Sequence, residues 1–281
     1  MCEFCIQHGE GKKWYLQAKN YSEDLLSDAR RRRFITDFFG HPEHLAQQLS
    51  RLDALSRAPA FVRRAMGALI TRHMKKWHFG QVLPLEDIET IFGFVNSVVR
   101  VPCICRQVTV GRDARYCYAV SMGPGAGAMG DLLQGLDSSY MSGPESSEFE
   151  VLDNDEALQA LAEHEKEGLC HSVWTFKAPF IGGLCNCDRA DCMAMKATVT
   201  HDVPVMFRAE YVAEVDPDLC TGCRACMRAC QFGALGYSAT NQKVFVDQTA
   251  CFGCGVCRSV CPNDAITLKP RSEVPAVANV W

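Results

Sequence analysis

The last quarter of the chain carries the same four-cysteine pattern twice. The first run consists of Cys220, Cys223, Cys226 and Cys230, and the second run, 31 positions later, of Cys251, Cys254, Cys257 and Cys261. Both runs read C-x2-C-x2-C-x3-C, and Asp216 and Asp247 precede them at the same offset. A short loop with a cysteine at every third residue can wrap three corners of an iron–sulfur cubane. The spacing therefore predicts iron–sulfur clusters and the transfer of single electrons.

Zinc sites and disulfides are the two other common uses of so many cysteines. Structural zinc usually takes two cysteine pairs that are separated by a longer loop, whereas each run here has three evenly spaced cysteines and a fourth. Disulfide frameworks belong to secreted chains, and the N-terminus shows no basic segment followed by an apolar one, as an export signal would. We therefore interpret the eight cysteines as cluster ligands.

The two runs resemble the ligand runs of bacterial two-cluster ferredoxins, in which the fourth cysteine of each run binds the other cluster. The resemblance implies one [4Fe–4S] cluster held by Cys220, Cys223, Cys226 and Cys261, and a second held by Cys251, Cys254, Cys257 and Cys230. Pro262 follows the last cysteine, as in that family, but Gln231 occupies the equivalent place in the first run. Because proline lacks an N–H donor, we expect different hydrogen bonding there.

Subtracting these eight cysteines from the 17 in the sequence leaves nine. A free cysteine is often a small buried hydrophobe, and this interpretation suits Cys170 and, less well, Cys117. It does not suit two Cys-x-Cys pairs, because clustered cysteines in a cytosolic chain usually bind metal. We predict a third metal site, an iron–sulfur cluster or, alternatively, zinc, with these candidate ligands: Cys103, Cys105, Cys117, Cys185, Cys187 and Cys192.

The N-terminus holds a shorter pattern, C-x2-C-x2-H, formed by Cys2, Cys5 and His8. Terminal residues are often poorly ordered, so these thiols are either incidental or one half of a metal site that other residues complete. The catalytic residues, if there are any, cannot be read from the sequence.

Two segments upstream of the repeats resemble a group of anaerobic ferredoxin-type proteins. One is P-C-x-C-R, ending at Arg106, and the other is Leu184-Cys185-Asn186-Cys187, with the segment E-G-L-C-H around Cys170 between them. The similarity extends over about residues 84–270, so the first 83 residues lie outside it. It implies a redox role and names no substrate.

The periodicity of the chain predicts an α+β protein. We predict a helical region at 1–83, an α/β cysteine-containing domain at 84–208, a two-cluster ferredoxin domain at 209–270 and a tail at 271–281. We expect helices at 22–39, 43–56, 61–77 and 154–167, and another from Pro84. We expect strands at 98–105, 115–122, 170–176 and 209–215, and a hairpin at 235–246. The glycine-rich segment 123–130 is expected to be a loop, since too short a helix follows it for a dinucleotide site.

Composition and charge limit the possible binding partners and the cellular compartment of the protein. A net charge of −4 argues neither for nucleic acid nor for an anionic membrane as a partner, and the basic run at 30–33 is expected to be a solvated helix face. No apolar stretch approaches the length of a membrane span. Many cysteines without an export signal predict a reducing compartment, the cytoplasm, and the oxygen sensitivity of exposed clusters suggests an anaerobe.

These observations predict an iron–sulfur electron-transfer protein that serves a flavoprotein or another oxidoreductase subunit. The alternative is a reductase in which the middle cysteine site is catalytic and the ferredoxin domain supplies its electrons. A metal-dependent sensor is disfavoured because no nucleic-acid-binding motif is visible.

Overall fold

A mixed sheet of seven strands lies at the centre of the chain, in a computed structural model that describes residues 13–111, 116–136 and 149–280. Across the sheet the strands are β4 (Glu150–Leu152), β2 (Ser97–Val101), β3 (Cys117–Ser121), β6 (Ile181–Cys187), β5 (Cys170–Thr175), β1 (Gly80–Val82) and β7 (Met206–Phe207). All neighbours are antiparallel except β1 and β7. Every residue of β5 is buried, because other elements cover both faces of the sheet there.

Helices surround this sheet. They are α1 (Ala29–Gly40), α2 (Pro42–Ser56), α3 (Ala60–Trp77), α4 (Leu85–Phe92), α5 (Ile104–Val110), α6 (Gly127–Gln134), α7 (Asn154–Lys166) and the short α8 (Met193–Met195), which continues as one π-helical turn to Thr200. One face packs against α4 and α7 through Ile88 and Leu161, and the opposite face packs against α1 and α6 through Ile35 and Met129. The segments Trp14–Leu16 and Ala18–Tyr21 are 3-10 turns whose aromatic rings join the first of these cores.

The C-terminal part has a smaller core of its own. It consists of β8 (Tyr211–Val215), α9 (Ala225–Ala229), β9 (Leu235–Ser238), β10 (Lys243–Val246), α10 (Val256–Ser259) and β11 (Ile266–Pro270). Strands β8 and β11 pair antiparallel, and β9 and β10 form a hairpin. The guanidinium of buried Arg271 donates to the carbonyl oxygens of Ala209, Tyr211 and Cys251 at 2.8 to 3.0 Å. Val277 also packs into this core, so the end of the chain contributes to it.

The predicted α+β class is confirmed. Three local predictions are wrong in part. The strand predicted over 98–105 ends at Val101, and Cys103 instead precedes α5. Ser22 caps only a 3-10 turn, Glu23–Ser27, and α1 begins after Asp28, whose carboxylate accepts from two backbone N–H groups. The predicted glycine-rich loop becomes α6 from Gly127 onwards, since its small residues let the helix lie against β2.

The other predicted helices and strands are present with shifted ends, and the predicted hairpin is β9–β10. The predicted domain boundaries stay predictions. Within the described ranges, no helix combines the length and the apolar character that crossing a membrane requires.

A buried histidine makes the stability of the fold depend on pH. The Nδ1 atom of His171 lies 2.6 Å from Oδ1 of Asn186, whose amide nitrogen donates to the carbonyl oxygen of Tyr116, so the imidazole must be the donor. Burial lowers the pKa of His171 to about 4, although the Asn186 hydrogen bond opposes this change. The unfolded chain takes up this proton near pH 6.5. Between those values the unfolded state binds more protons, and stability falls as the pH falls.

We therefore expect His171→Gln to reduce the loss of stability between pH 7.5 and pH 5 by about 2 kcal/mol. Anaerobic urea unfolding at the two pH values measures this loss. His44→Gln, at an exposed position of α2, is the control and should keep the wild-type pH dependence. If the two variants have the same pH dependence, His171 is not the buried neutral group that the fold indicates.

Candidate metal centres

The ferredoxin-like part brings the eight cysteines of the two runs together in two groups. One pocket is lined by Cys220, Cys223, Cys226 and Cys261, and the other by Cys230, Cys251, Cys254 and Cys257. In each pocket, three cysteines of one run meet the fourth cysteine of the other run. The reason is that α9 and α10 each carry the chain from one loop towards the opposite pocket.

Backbone N–H groups point at the sulfur atoms of these cysteines. The amides of Ala213 and Gly253 each lie 3.4 Å from Sγ of Cys251. The amide of Ala234 is 3.4 Å from Sγ of Cys230, and that of Ala265 is 3.3 Å from Sγ of Cys261. Donors of this kind favour the charged thiolate form, which is the form that binds metal.

Glycine is required in the second loop. Gly253 has a φ of +71°, and a Cβ there would lie 2.1 Å from the carbonyl oxygen of Tyr211. Only glycine combines that conformation with so close an approach of two backbones. The loop can therefore lie directly on β8, and the amide of Gly253 can reach the sulfur of Cys251.

Gln231 ties the ferredoxin-like part to the middle of the chain. Its side-chain amide donates to the carbonyl oxygen of Gly168 at 2.7 Å, and its side-chain oxygen accepts from the amide of Arg189 at 2.9 Å. A proline at this position has no side chain that can make either bond. The departure from the ferredoxin pattern thus places a polar clamp directly after Cys230.

The strand register places four cysteines on one face of the large sheet. Cys117 of β3 is paired with Cys185 of β6, and Cys170 of β5 is paired with Cys187 of β6. Because side chains alternate between the faces of a strand, Cys185 and Cys187 share a face, and their cross-strand partners lie on it too. This face is the one that α1 covers.

Two further segments add cysteines to that face. Sγ of Cys192, at the start of α8, lies 3.2 Å from Sγ of Cys187. The thiol of Cys103 interacts with that of Cys117, and the thiol of Cys105 with that of Cys192. The interaction between Cys105 and Cys192 lowers the pKa of Cys192 well below its ordinary value and raises that of Cys105. The structure thus brings together all six middle cysteines that the sequence predicted, which we call the middle thiols: Cys103, Cys105, Cys117, Cys185, Cys187 and Cys192.

A buried arginine joins the two segments that carry the Cys-x-Cys pairs. Arg106 donates to the carbonyl oxygen of Asn186 at 3.2 Å, forms an ion pair with Asp188, and has its guanidinium 4.2 Å from the centre of the Tyr116 ring. Burial opposes its charge, but nearby Cys103 and Asp188 raise the pKa of Arg106 overall. A permanent cation beside the thiols favours thiolates there.

Cys170 lies between the middle thiols and the ferredoxin-like part. It shares one packed core with Cys187 and Cys192 on one side and with Cys254 on the other. Burial raises the pKa of both Cys170 and Cys254, and the nearby Cys170 thiol raises the pKa of Cys254 further. Phe252 stacks on Phe232 in the same region, with ring centres 4.0 Å apart. The middle thiols and the second pocket therefore share one buried core, to which Cys170 also belongs.

A large apolar chamber lies over the middle thiols. Its volume is about 860 Å³, and all six middle thiols line it, together with residues of α1, α2 and α3. Across the described ranges 13–111, 116–136 and 149–280, no group of three or more histidine, cysteine, aspartate or glutamate side chains is arranged to hold a single metal ion. Each cysteine of a cubane binds a different iron.

The residues that are similar to known proteins lie in the ferredoxin-like part. Residues 213–268 match the family of the 4Fe-4S dicluster domain. A stretch of 60 residues is 40% identical to the archaeal-type glutamate synthase [NADPH] of Thermotoga maritima, and equally to that of Thermotoga sp. strain RQ2. This stretch is 21% of the present chain and only 12% of each relative. The dicluster domain supports an iron–sulfur electron-transfer role for the chain.

Two features of these centres cannot be predicted from the sequence. Cys170 is a buried core residue, as the sequence predicts, but only the strand register shows that it lies beside Cys187. The clamp by Gln231 depends on Gly168 and Arg189, which are distant in sequence. Cys2, Cys5 and His8 lie outside the described residues.

Gln231→Ala should weaken the contact between the ferredoxin-like part and the middle of the chain. The change removes two hydrogen bonds to backbone groups, so we expect the free energy of unfolding to fall by about 1–3 kcal/mol while the iron content stays the same. Anaerobic urea unfolding measures the change. Gln159→Ala, at an exposed position of α7, is the matched control and should alter stability by less than about 0.5 kcal/mol. Equal effects of the two changes would show that the clamp contributes nothing.

Proposed function

We propose that the chain carries single electrons between a redox partner protein and a third, thiolate-bound centre in its middle domain, by way of two [4Fe–4S] clusters. One observation carries this proposal. Cys254, from the second cysteine run, packs in one core with Cys170, Cys187 and Cys192. An electron that reaches the second pocket therefore lies next to the middle thiols, with no solvent layer between them.

The ligands of the two ferredoxin clusters follow from the two pockets. We assign the first cluster to Cys220, Cys223, Cys226 and Cys261, and the second to Cys251, Cys254, Cys257 and Cys230. Such clusters supply one-electron redox chemistry at potentials that hydrogen bonds to sulfur and solvent exposure adjust. The amides of Ala213 and Gly253 supply such bonds at Cys251, where the surrounding residues are buried. Cys223, by contrast, is exposed, so the first pocket is the natural entry point for a partner's electrons.

The middle thiols suit an iron–sulfur centre better than zinc. In the part of the chain that the structure describes, no three of them are arranged to hold one ion, as a structural zinc site requires, whereas the four cysteines of a cubane each bind a different iron. Three of the six are buried and three are half-buried, and a permanent cation, Arg106, lies among them. Arg106 offsets negative charge on the thiolates and holds Asp188 and the backbone of Asn186 in place. Zinc remains the alternative, and metal analysis separates the two.

The chamber favours a second candidate function, a reductase whose middle centre is catalytic. A carrier that only relays electrons has no use for a cavity over its innermost centre. Binding pockets in enzymes are typically concave and largely apolar, with few polar groups, as this chamber is. In that case the ferredoxin domain supplies electrons to the middle centre, and the substrate binds in the chamber. The named relatives are glutamate synthases [NADPH], which fits service to an oxidoreductase partner such as a flavoprotein. A cytoplasmic and anaerobic setting stays a prediction.

We have assigned the fourth cysteine of each run to the cluster of the other run, and this crossed assignment predicts how pairs of cysteine changes combine. Cys230→Ala together with Cys254→Ala affects one cluster only, so one intact cubane should remain in the ferredoxin domain. Cys230→Ala together with Cys223→Ala affects both ferredoxin clusters, so neither of these two should remain intact. Electron paramagnetic resonance of the reduced proteins counts the intact clusters, and the oxidised proteins show the three-iron signals that follow the loss of one thiolate.

The uncrossed arrangement gives the opposite pattern. If Cys230 and Cys223 serve the same cluster, their combined loss leaves one ferredoxin cluster intact, and the loss of Cys230 with Cys254 leaves neither. That result would overturn the ligand assignment. The two double variants remove the same number of thiols, so each serves as the control of the other.

A further inference from the structure

The chamber over the middle thiols has the size of a small-molecule site. Its volume of about 860 Å³ lies within the range of ligand pockets, roughly 300–1,000 Å³. Protein interiors are otherwise packed to the density of organic crystals. Residues of α1, α2 and α3 line the chamber, and the space between them and the thiols is far larger than a packing defect.

The walls of the chamber are rich in aromatic rings. Phe34 and Phe38 of α1 lie near Trp77 at the end of α3, and Trp174 of β5 and Phe176, which follows β5, complete this wall. The ring centres of Phe34 and Trp77 are 5.5 Å apart, and those of Phe38 and Phe176 are 5.8 Å apart, in an edge-to-face arrangement. Aromatic walls of this kind favour flat ring systems, which stack on a face or meet an edge.

An aromatic side chain covers the floor of the chamber at Gly183. This residue lies in the middle of β6, on the same face as Cys185, and it lines the chamber. A Cβ at this position would lie 3.4 Å from the Phe176 ring. The ring of Phe176 therefore already covers Gly183, and the aromatic wall extends onto the strand that carries Cys185.

Charge restricts the ligand further. In the described part of the chain, the lining contains two side chains with a permanent positive charge, Arg51 and Arg106, and no carboxylate. Arg106 is engaged by Asp188 at the floor, so Arg51 is the one that can meet a ligand. Arg51 and His73 are exposed and belong to α2 and α3, so the chamber opens to solvent between these two helices.

We propose that this chamber binds an apolar, ring-containing small molecule with at most one anionic group, which lies at the mouth near Arg51 while the ring lies against the middle thiols. The aromatic walls select the ring, and the single available cation limits the charge. A polyanionic ligand is disfavoured because, among the lining residues, only Arg51 is available to neutralise its negative charge. That the bound ring receives electrons rests on the proposed function, whereas the binding site itself does not.

The test uses the fluorescent probe 1-anilinonaphthalene-8-sulfonate, which has two rings and one sulfonate. We expect one probe to bind per intact, metal-loaded chain, with enhanced and blue-shifted emission. Ile70→Trp and Leu52→Trp enlarge two side chains that line the chamber, and each should weaken binding about tenfold or more. Val151→Trp, at an exposed position of β4, is the control and should leave the affinity unchanged.

The charge at the mouth is tested separately. Arg51→Gln changes an exposed residue and so leaves the fold intact. It should weaken binding of the sulfonate probe about two- to fivefold, as expected for a partly solvated charge pair. N-phenyl-1-naphthylamine is the same ring system without the sulfonate, and its affinity should not change. Equal losses for both probes would mean that Arg51 does not meet the anion.

The proposal is overturned if neither tryptophan variant weakens binding while circular dichroism and iron content stay at wild-type values. It is also overturned if the probe does not bind at all to the wild-type protein. Iron analysis of the same samples keeps the two proposals apart. A sample with no iron beyond the ferredoxin clusters, but with normal probe binding, refutes the third iron–sulfur centre and leaves the ligand chamber standing.

Discussion

The pairing register of three neighbouring strands is the constraint on which the rest of this structure depends. Cys117 faces Cys185 across β3 and β6, and Cys170 faces Cys187 across β6 and β5. Since a shift by one residue would turn every side chain of a strand to the opposite face, this register alone determines that the four thiols lie together. The α5 and α8 segments then bring the remaining cysteines to the same face.

The residues around these thiols supply a positive charge, a connection to the ferredoxin-like part and a chamber that opens to solvent. Arg106 supplies positive charge and links the two Cys-x-Cys segments. Cys170 belongs to one buried core with Cys254 of the ferredoxin-like part, and Gln231 holds the two parts together. On the other side the helices leave a chamber over the thiols. An electron path can therefore end at a site that a small molecule reaches from solvent.

The sequence predicted the local part of this arrangement and missed the distant part. The ferredoxin ligands could be identified because their spacing within each run is itself the signature. The Cys-x-Cys pairs pointed to a middle site for the same reason. Cys170 is the buried residue that the sequence predicts, but its partner, Cys187, is set by strand pairing over a long sequence distance. The region 1–83 was predicted as helical, but periodicity could not show that α1, α2 and α3 enclose a chamber over the thiols, because that depends on how they pack on the sheet.

The iron and sulfide content of the anaerobically purified chain tests the central claim most directly. We predict about twelve irons per wild-type chain if the middle thiols hold one cubane, and about eight when Cys185, Cys187 and Cys192 are all changed to serine. The two ferredoxin clusters should keep their signals in that variant. About eight irons in both proteins, or one zinc per wild-type chain that the variant loses, would contradict the account.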